Sequence, residues 1–214
     1  MTRRIHAADA RHRVVAIGVA LFALLSACSS TQPPRFHTLM PAPAATARPP
    51  TPAGLLVWEV LPVAVPASVD RPQWVVQTAD GSLAVLEQER WIALLGDEIR
   101  AAVTDRLTQV VGASALSAEP RKRWRIRIDV QRFNSVPGRE ARLEATWALS
   151  TDAEPVAALR CHGEFVQPLA ANGYPALTQG HQQAVAALAD AIGGKLKALA
   201  AGQTATCAGA SGRT

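Results

Sequence analysis

Little in this chain is equipped for catalysis or metal binding. It holds three cysteines, five histidines and one tyrosine. No two histidines or cysteines stand at the spacing of a metal-ligand pair. Cys161 and His162 are neighbours, and adjacent residues of a strand point to opposite faces. No Gly-X-Ser-X-Gly elbow and no phosphate-cradling glycine loop occurs. His6 and His12 fall in the N-terminal leader, His37 in a proline-rich region, and His181 at a helix start. The expectation is a protein that is not an enzyme and needs no metal or cofactor.

A long apolar run is also missing. The longest, Val14 to Leu25, is twelve residues, too short for a bilayer that takes about 20. It fits the apolar region of a secretory signal, preceded by Arg3, Arg4, Arg11 and Arg13. Directly after it stands Leu25-Ser26-Ala27-Cys28, which resembles a bacterial lipobox. Residues 1–27 read as a lipoprotein signal peptide and Cys28 as the lipidated residue. The alternative is an ordinary signal, or a short anchor helix, with an incidental cysteine. Each buried methylene contributes about 0.8 kcal/mol, so the acyl groups of such a lipoprotein (a diacylglyceryl group and a palmitate-type third chain) hold it firmly. Ser29, in place of Asp, points to sorting to the outer membrane, facing the periplasm.

Excess positive charge is scarce once the leader is set aside. The first 27 residues hold four arginines and one aspartate, which leaves 18 basic and 16 acidic side chains in the rest. That balance removes the main support for nucleic-acid binding. The local run Arg121-Lys122-Arg123, with Arg125 and Arg127, reads as a solvated strand face. Residues 28–53 are rich in Pro and Ala and read as a tether. Residues 202–214 read as a disordered tail and 54–201 as one domain. Cys161 and Cys207 are candidates for a disulfide in an oxidising periplasm. The alternative is a buried thiol at Cys161 and an incidental Cys207.

Within the domain, Leu55 to Val60 is apolar on both alternating faces and predicts a central strand. Asp80-Gly81 predicts a hairpin between Trp74–Thr78 and Leu83–Leu86. Trp91, Leu95, Ile99, Val103, Leu107 and Val110 predict a helix from about Glu89 to Val111, stopped by Gly112. Three period-two stretches follow, on Trp124–Val130, Leu143–Leu149 and Leu159–Phe165, with turns at Pro137-Gly138 and Asp152–Pro155. A second helix is expected from about Gln179 to Ala200, weakened by Gly193-Gly194. The fold class is α/β, a single domain with a mixed, mainly antiparallel sheet and two long flanking helices.

The most distinctive stretch is Pro62-Val63-Ala64-Val65-Pro66, three residues, then Asp70-Arg71-Pro72-Gln73-Trp74. A structural corner is one reading of it. A docking surface is the other, since Arg and Trp are enriched in interface hot spots. Together with the lipobox, Phe36-His37-Thr38-Leu39 and Glu89-Arg90-Trp91, this block resembles the PqiC/YmbA family of ABC-type transport auxiliary lipoproteins. The resemblance implies a subunit that docks the periplasmic component of an ABC/MCE-type lipid transport system and supports membrane integrity. The partners it implies are an MCE-domain protein and the ABC permease and ATPase. A homo-oligomer is compatible with it. A second hypothesis is a lipid-binding lipoprotein that carries acyl chains itself, in a cavity lined by residues such as Trp124, Trp147 and Phe165.

Overall fold

The computed structural model of the chain describes residues 32–42, 56–114, 122–152, 159–207 and 210–212. The expected signal peptide, Cys28, most of the Pro/Ala-rich stretch and part of the turn after Asp152 lie outside them.

Alternation of apolar and polar residues builds the main sheet. In β5 (Arg123–Val136) Trp124, Ile126, Ile128 and Val130 are buried while Arg123, Arg125 and Arg127 face water. In β6 (Glu140–Thr151) every second residue from Ala141 onward is buried, and β7 (Leu159–Pro168) buries Cys161, Gly163 and Phe165. Pro137-Gly138 makes the β5–β6 turn, with Gly138 at φ 73°, a conformation that favours glycine. The three strands form an antiparallel meander. β2 (Val57–Val60) joins parallel to β5, and the short β8 (Ala210–Gly212) joins parallel to β7, giving the order β2-β5-β6-β7-β8.

β2 was expected in the middle of a sheet and lies at its edge. Only Trp58 and Val60 are buried, while Glu59 is half-exposed and pairs with Arg125. The other apolar side chains, Leu56 and Val57, are only partly covered, so apolar residues on both faces do not require a central position here. The edge carbonyl of Val60 accepts a hydrogen bond from Arg100 Nε at 3.0 Å.

A second, three-stranded sheet has the order β1-β4-β3. β3 (Gln73–Gln77) and β4 (Leu83–Trp91) form the expected hairpin, with Gly81 at φ 87°. β1 (Arg35–His37) pairs parallel with the last residues of β4. Two expectations change here. Residues 35–40, placed in the tether by composition, are part of the fold, with Leu39 only 1% exposed. Glu89-Arg90-Trp91 is strand, not the opening of a helix, because its backbone is paired on both sides: with β1, and with Gln73 and the Pro72 carbonyl. Helix periodicity reached back to Trp91 only because Trp91, Leu95 and Ile99 happen to be spaced by four.

The helices are α1 (Leu95–Val111) and α2 (Tyr174–Ala200). α1 buries Leu95, Ile99, Val103 and Leu107; α2 buries Leu177, Val185, Leu188, Ile192 and Leu196. α2 starts five residues earlier than expected, with Pro175 in the first turn, where its missing N–H costs nothing. It packs on β6, β7 and α1. Arg106 spans the two helices, donating to both oxygens of Asp190 at 2.8 and 2.9 Å. The C-terminal segment, expected as loose tail, is joined to β7 by a disulfide between Cys161 and Cys207, with a Cα–Cα distance of 5.4 Å. The chain is thus a mixed α/β domain.

Gly193 and Gly194 are not equivalent. Gly193 is buried where α2 crosses α1, and a Cβ there would stand 2.9 Å from Val110 Cγ2. At Gly194 a Cβ meets nothing within 4 Å. Gly194→Ala is therefore expected to raise the unfolding free energy by about 1 kcal/mol. Gly193→Ala is expected to lower it through overpacking. Urea titration of the two variants checks both signs, and equal effects would refute the packing account of Gly193.

Candidate docking site

The block Asp70–Trp74 divides into an exposed half and a buried half. After Pro66 the chain turns through Val69 N–H and Asp70 N–H, which both donate to the Pro66 carbonyl at 3.0 and 3.1 Å. Arg71 N–H then donates to Val69 O at 2.9 Å, and Trp91 N–H to Pro72 O at 2.8 Å. Asp70, Arg71 and Pro72 stand exposed, and neither charged side chain has a hydrogen-bond or ion-pair partner among the described residues. Gln73 is half-buried. Trp74, grouped with them as a docking residue, is 1% exposed and belongs to the core. Its indole N–H donates to Ser135 Oγ at 2.7 Å. The large ring and its buried partner explain why it faces inward: burial covers the apolar body while Ser135 satisfies the polar tip.

Behind the turn lies an aromatic cluster. Trp74 and Trp91 have ring centroids 4.5 Å apart, with His37 at 4.9 Å and Tyr174 at 5.9 Å from Trp74. Phe133 packs edge-on against Trp91 and stacks on His181 at 4.0 Å. His181 is fully buried, and that burial pushes its pKa down to about 3, so it is neutral. Ser135 Oγ accepts the hydrogen bond of the Trp74 indole N–H and lies within hydrogen-bond distance of His181 Nε2, 2.8 Å away. The other ring nitrogen, His181 Nδ1, is buried and has no hydrogen-bond partner among the described residues.

β1 is held to this cluster by a buried carboxylate. Glu89, 3% exposed, accepts from Arg35 Nε at 2.7 Å and also from Arg35 Nη2. Its other oxygen meets His37 Nε2 at 2.6 Å. Burial alone would raise its pKa, but the hydrogen bonds from His37 and Arg35 outweigh it and hold the pKa below the ordinary value of 4.5. A second buried carboxylate, Glu98 on α1, accepts from Leu39 N–H at 2.7 Å and Thr38 Oγ1 at 2.8 Å. From α2, Gln182 Nε2 donates to the carbonyls of Thr38 and Met40, both at 3.1 Å. Carboxylate, imidazole and the Thr178 hydroxyl line up here, with His37 Nδ1 3.1 Å from Thr178 Oγ1. The Thr178 hydroxyl donates to the Tyr174 carbonyl at 2.9 Å, so its proton serves the helix backbone. The row works as a clasp.

The sequence model of the family described as "ABC-type transport auxiliary lipoprotein component" matches residues 37–193, most of the chain. The chain belongs to this family. Among solved structures, an uncharacterized protein superposes with a TM-score of 0.62 at 16% identity, covering 77% of this chain and 99% of its own. A Xanthomonas campestris protein gives a TM-score of 0.57 at 19% identity, covering 79% of this chain and 96% of its own. At these identities the two bear on the fold alone. No curated protein sequence matches. As an auxiliary lipoprotein component of ABC-type transport, the chain carries its family match from His37, the clasp residue, to Gly193, at the helix crossing.

The remaining candidate residues fall elsewhere. Lys122 sits over the Trp124 ring, 5.1 Å from its centroid, and Arg125 pairs with Glu59, so the basic strand face is partly neutralised. Trp124 and Phe165 are core. Trp147 is 3% exposed and lies beside a groove of about 580 Å³ between α2 and the segment Thr204–Cys207. Sequence reading missed Glu89, His37, Ser135, Glu98 and His181 as one constellation. The segments Phe36–Leu39 and Glu89–Trp91, picked out by family resemblance, were the pointers to it.

Two predictions follow from the clasp and the cluster. Glu89→Gln is expected to destabilise the domain by about 1–3 kcal/mol, because the amide loses the charge and keeps one acceptor oxygen where Arg35 and His37 use two. Denaturant unfolding at neutral pH reads this, and a variant of wild-type stability would show that β1 is held by other contacts. For His181, the unfolded chain takes up a proton below the ordinary pKa of 6.5 that the native core refuses until about 3. Stability is therefore expected to fall as pH drops through that window, by at most about 1.4 kcal/mol per unit. His181→Phe removes this part of the slope. An unchanged slope between the two proteins would refute it.

Proposed function

We propose that the chain is a non-catalytic, outer-membrane lipoprotein subunit of an ABC/MCE-type intermembrane lipid transport system, anchored through Cys28 and docking the periplasmic component. The observation that carries the docking role is the turn Asp70-Arg71-Pro72, which presents two charges of opposite sign, unpaired among the described residues, on a backbone fixed by the buried Trp74. Arginine beside a rigid anchor is the kind of group that dominates interface energetics. Family membership supports the transport role, and the lipobox with Ser29 supports the address. Among the described residues no helix is long and apolar enough to cross a membrane.

The test is recovery of the MCE-domain protein from gently solubilised membranes with the tagged, lipidated chain. The pair Asp70→Arg with Arg71→Glu is expected to abolish recovery while leaving stability within about 0.5 kcal/mol, as for exposed sites generally. Undiminished recovery would reject the turn as the dock.

A second reading, that the domain carries acyl chains itself, draws on the groove beside Trp147. Its small lining residues Ala191, Gly194 and Ala198 leave it open, and Lys195 lies among them. Absence of co-purified lipid in native mass spectrometry would remove it.

A further inference from the structure

We propose that the outer face of the three-stranded sheet, at the end carrying Phe36, Ile92 and Leu94, rests on the phospholipid surface that holds the anchor. This rests on the reading of Cys28 as the lipidated residue. Among the described residues the exposed large apolar side chains are Phe36, Leu83, Val85, Ile92 and Leu94. Single exposed apolar residues are ordinary, and only their grouping carries meaning. Three of the five gather where β1 meets β4. Phe36 is 57% exposed and stands opposite Arg90; Ile92, 60% exposed, follows two residues later and donates its N–H to His37 O at 2.9 Å. Leu94, 49% exposed, comes next, just before α1. Alternation along β1 sends Arg35 and His37 to Glu89 on the inner side and leaves Phe36 on the outer.

The occupant is chosen by chain length. Eight chain steps separate Cys28 from Phe36. Fully extended they reach about 29 Å at most. The clasp on Glu89 and Glu98 prevents β1 from paying out as additional tether. A domain entered by so short a lead keeps its entry face near the lipid, and that face is where the apolar side chains stand. Arg90 adds positive charge beside them, suited to anionic headgroups, while the Glu87 carboxylate beside it tempers that charge, and the Arg35 charge is taken up by Glu89.

All five tryptophans are buried, at 5% exposure or less, so an indole placed on the patch reports from a distinct environment. The experiment uses the mature lipidated chain in vesicles of phosphatidylethanolamine and phosphatidylglycerol, with and without brominated acyl chains. Phe36→Trp and, separately, Ile92→Trp are compared with Leu83→Trp, an exposed site at the far end of β4. Emission from positions 36 and 92 is expected to shift to the blue and to be quenched by the brominated lipid, and emission from position 83 is not. Equal behaviour at all three sites, or loss of exposure at 36 only when the periplasmic protein is added, overturns the proposal. Flotation of the wild-type chain separates the two readings. A chain that does not float overturns the anchor and this proposal with it, whereas a floating chain with unquenched indoles overturns the membrane-facing patch alone.

Discussion

A carboxylate withdrawn from water needs N–H partners, and for Glu89 those partners lie 54 and 52 residues upstream, on Arg35 and His37. The rest of the structure's N-terminal organisation depends on this one contact. β1 is three residues long, too short to persist by backbone pairing alone. The ionic clasp, the two hydrogen bonds to Glu98 and the reach of Gln182 convert it into a fixed strand. Removing one member of such a set costs more than its net worth, because the others are left buried and unpaired.

The clasp and the aromatic cluster share residues, and so act as one support. His37 faces Glu89 through its ring nitrogen and Trp74 through its ring, 4.9 Å away. Trp74 in turn is tied through Ser135 to His181 on α2. Strand β3, strand β5 and helix α2 therefore meet at one hydrogen-bonded chain inside an apolar setting, where each hydrogen bond is electrostatically stronger than in water. The exposed turn Asp70-Arg71-Pro72 ends one residue before Gln73, at the mouth of this support. A surface turn of that kind has little conformational freedom left to lose on binding.

The main sheet was legible because its signal is local. Trp124 to Val130 and Ala141 to Leu149 alternate without interruption, and the hairpin at Asp80-Gly81 needs only its own residues to be read. The second sheet was not, because β1 is supplied by a stretch whose composition reads as linker. With β1 out of view, Glu89-Arg90-Trp91 had no visible partner and was absorbed into the helix that follows. The same cause hid the site: Glu89, His37, Ser135 and His181 come from four separate elements, and no spacing rule connects them. Trp74 was singled out by its motif but given the wrong side of the surface, since sequence does not show that Ser135 waits for its indole.

Fixing β1 has a mechanical consequence that composition alone would reverse. Read as tether, residues 28–53 would give the domain a long, loose lead. With residues 35–40 built into the fold, the lead from Cys28 ends at β1, and the Pro/Ala stretch after it becomes an internal connection to β2 at Val57. Under the anchoring at Cys28 proposed above, a domain on so short a lead has a restricted height and a preferred face. Under the docking function proposed above, that restriction is useful, because a turn held at a fixed distance presents a higher effective concentration to a partner than one on a long flexible chain. Glu89 supplies the restriction: it determines where the tether stops and the platform begins.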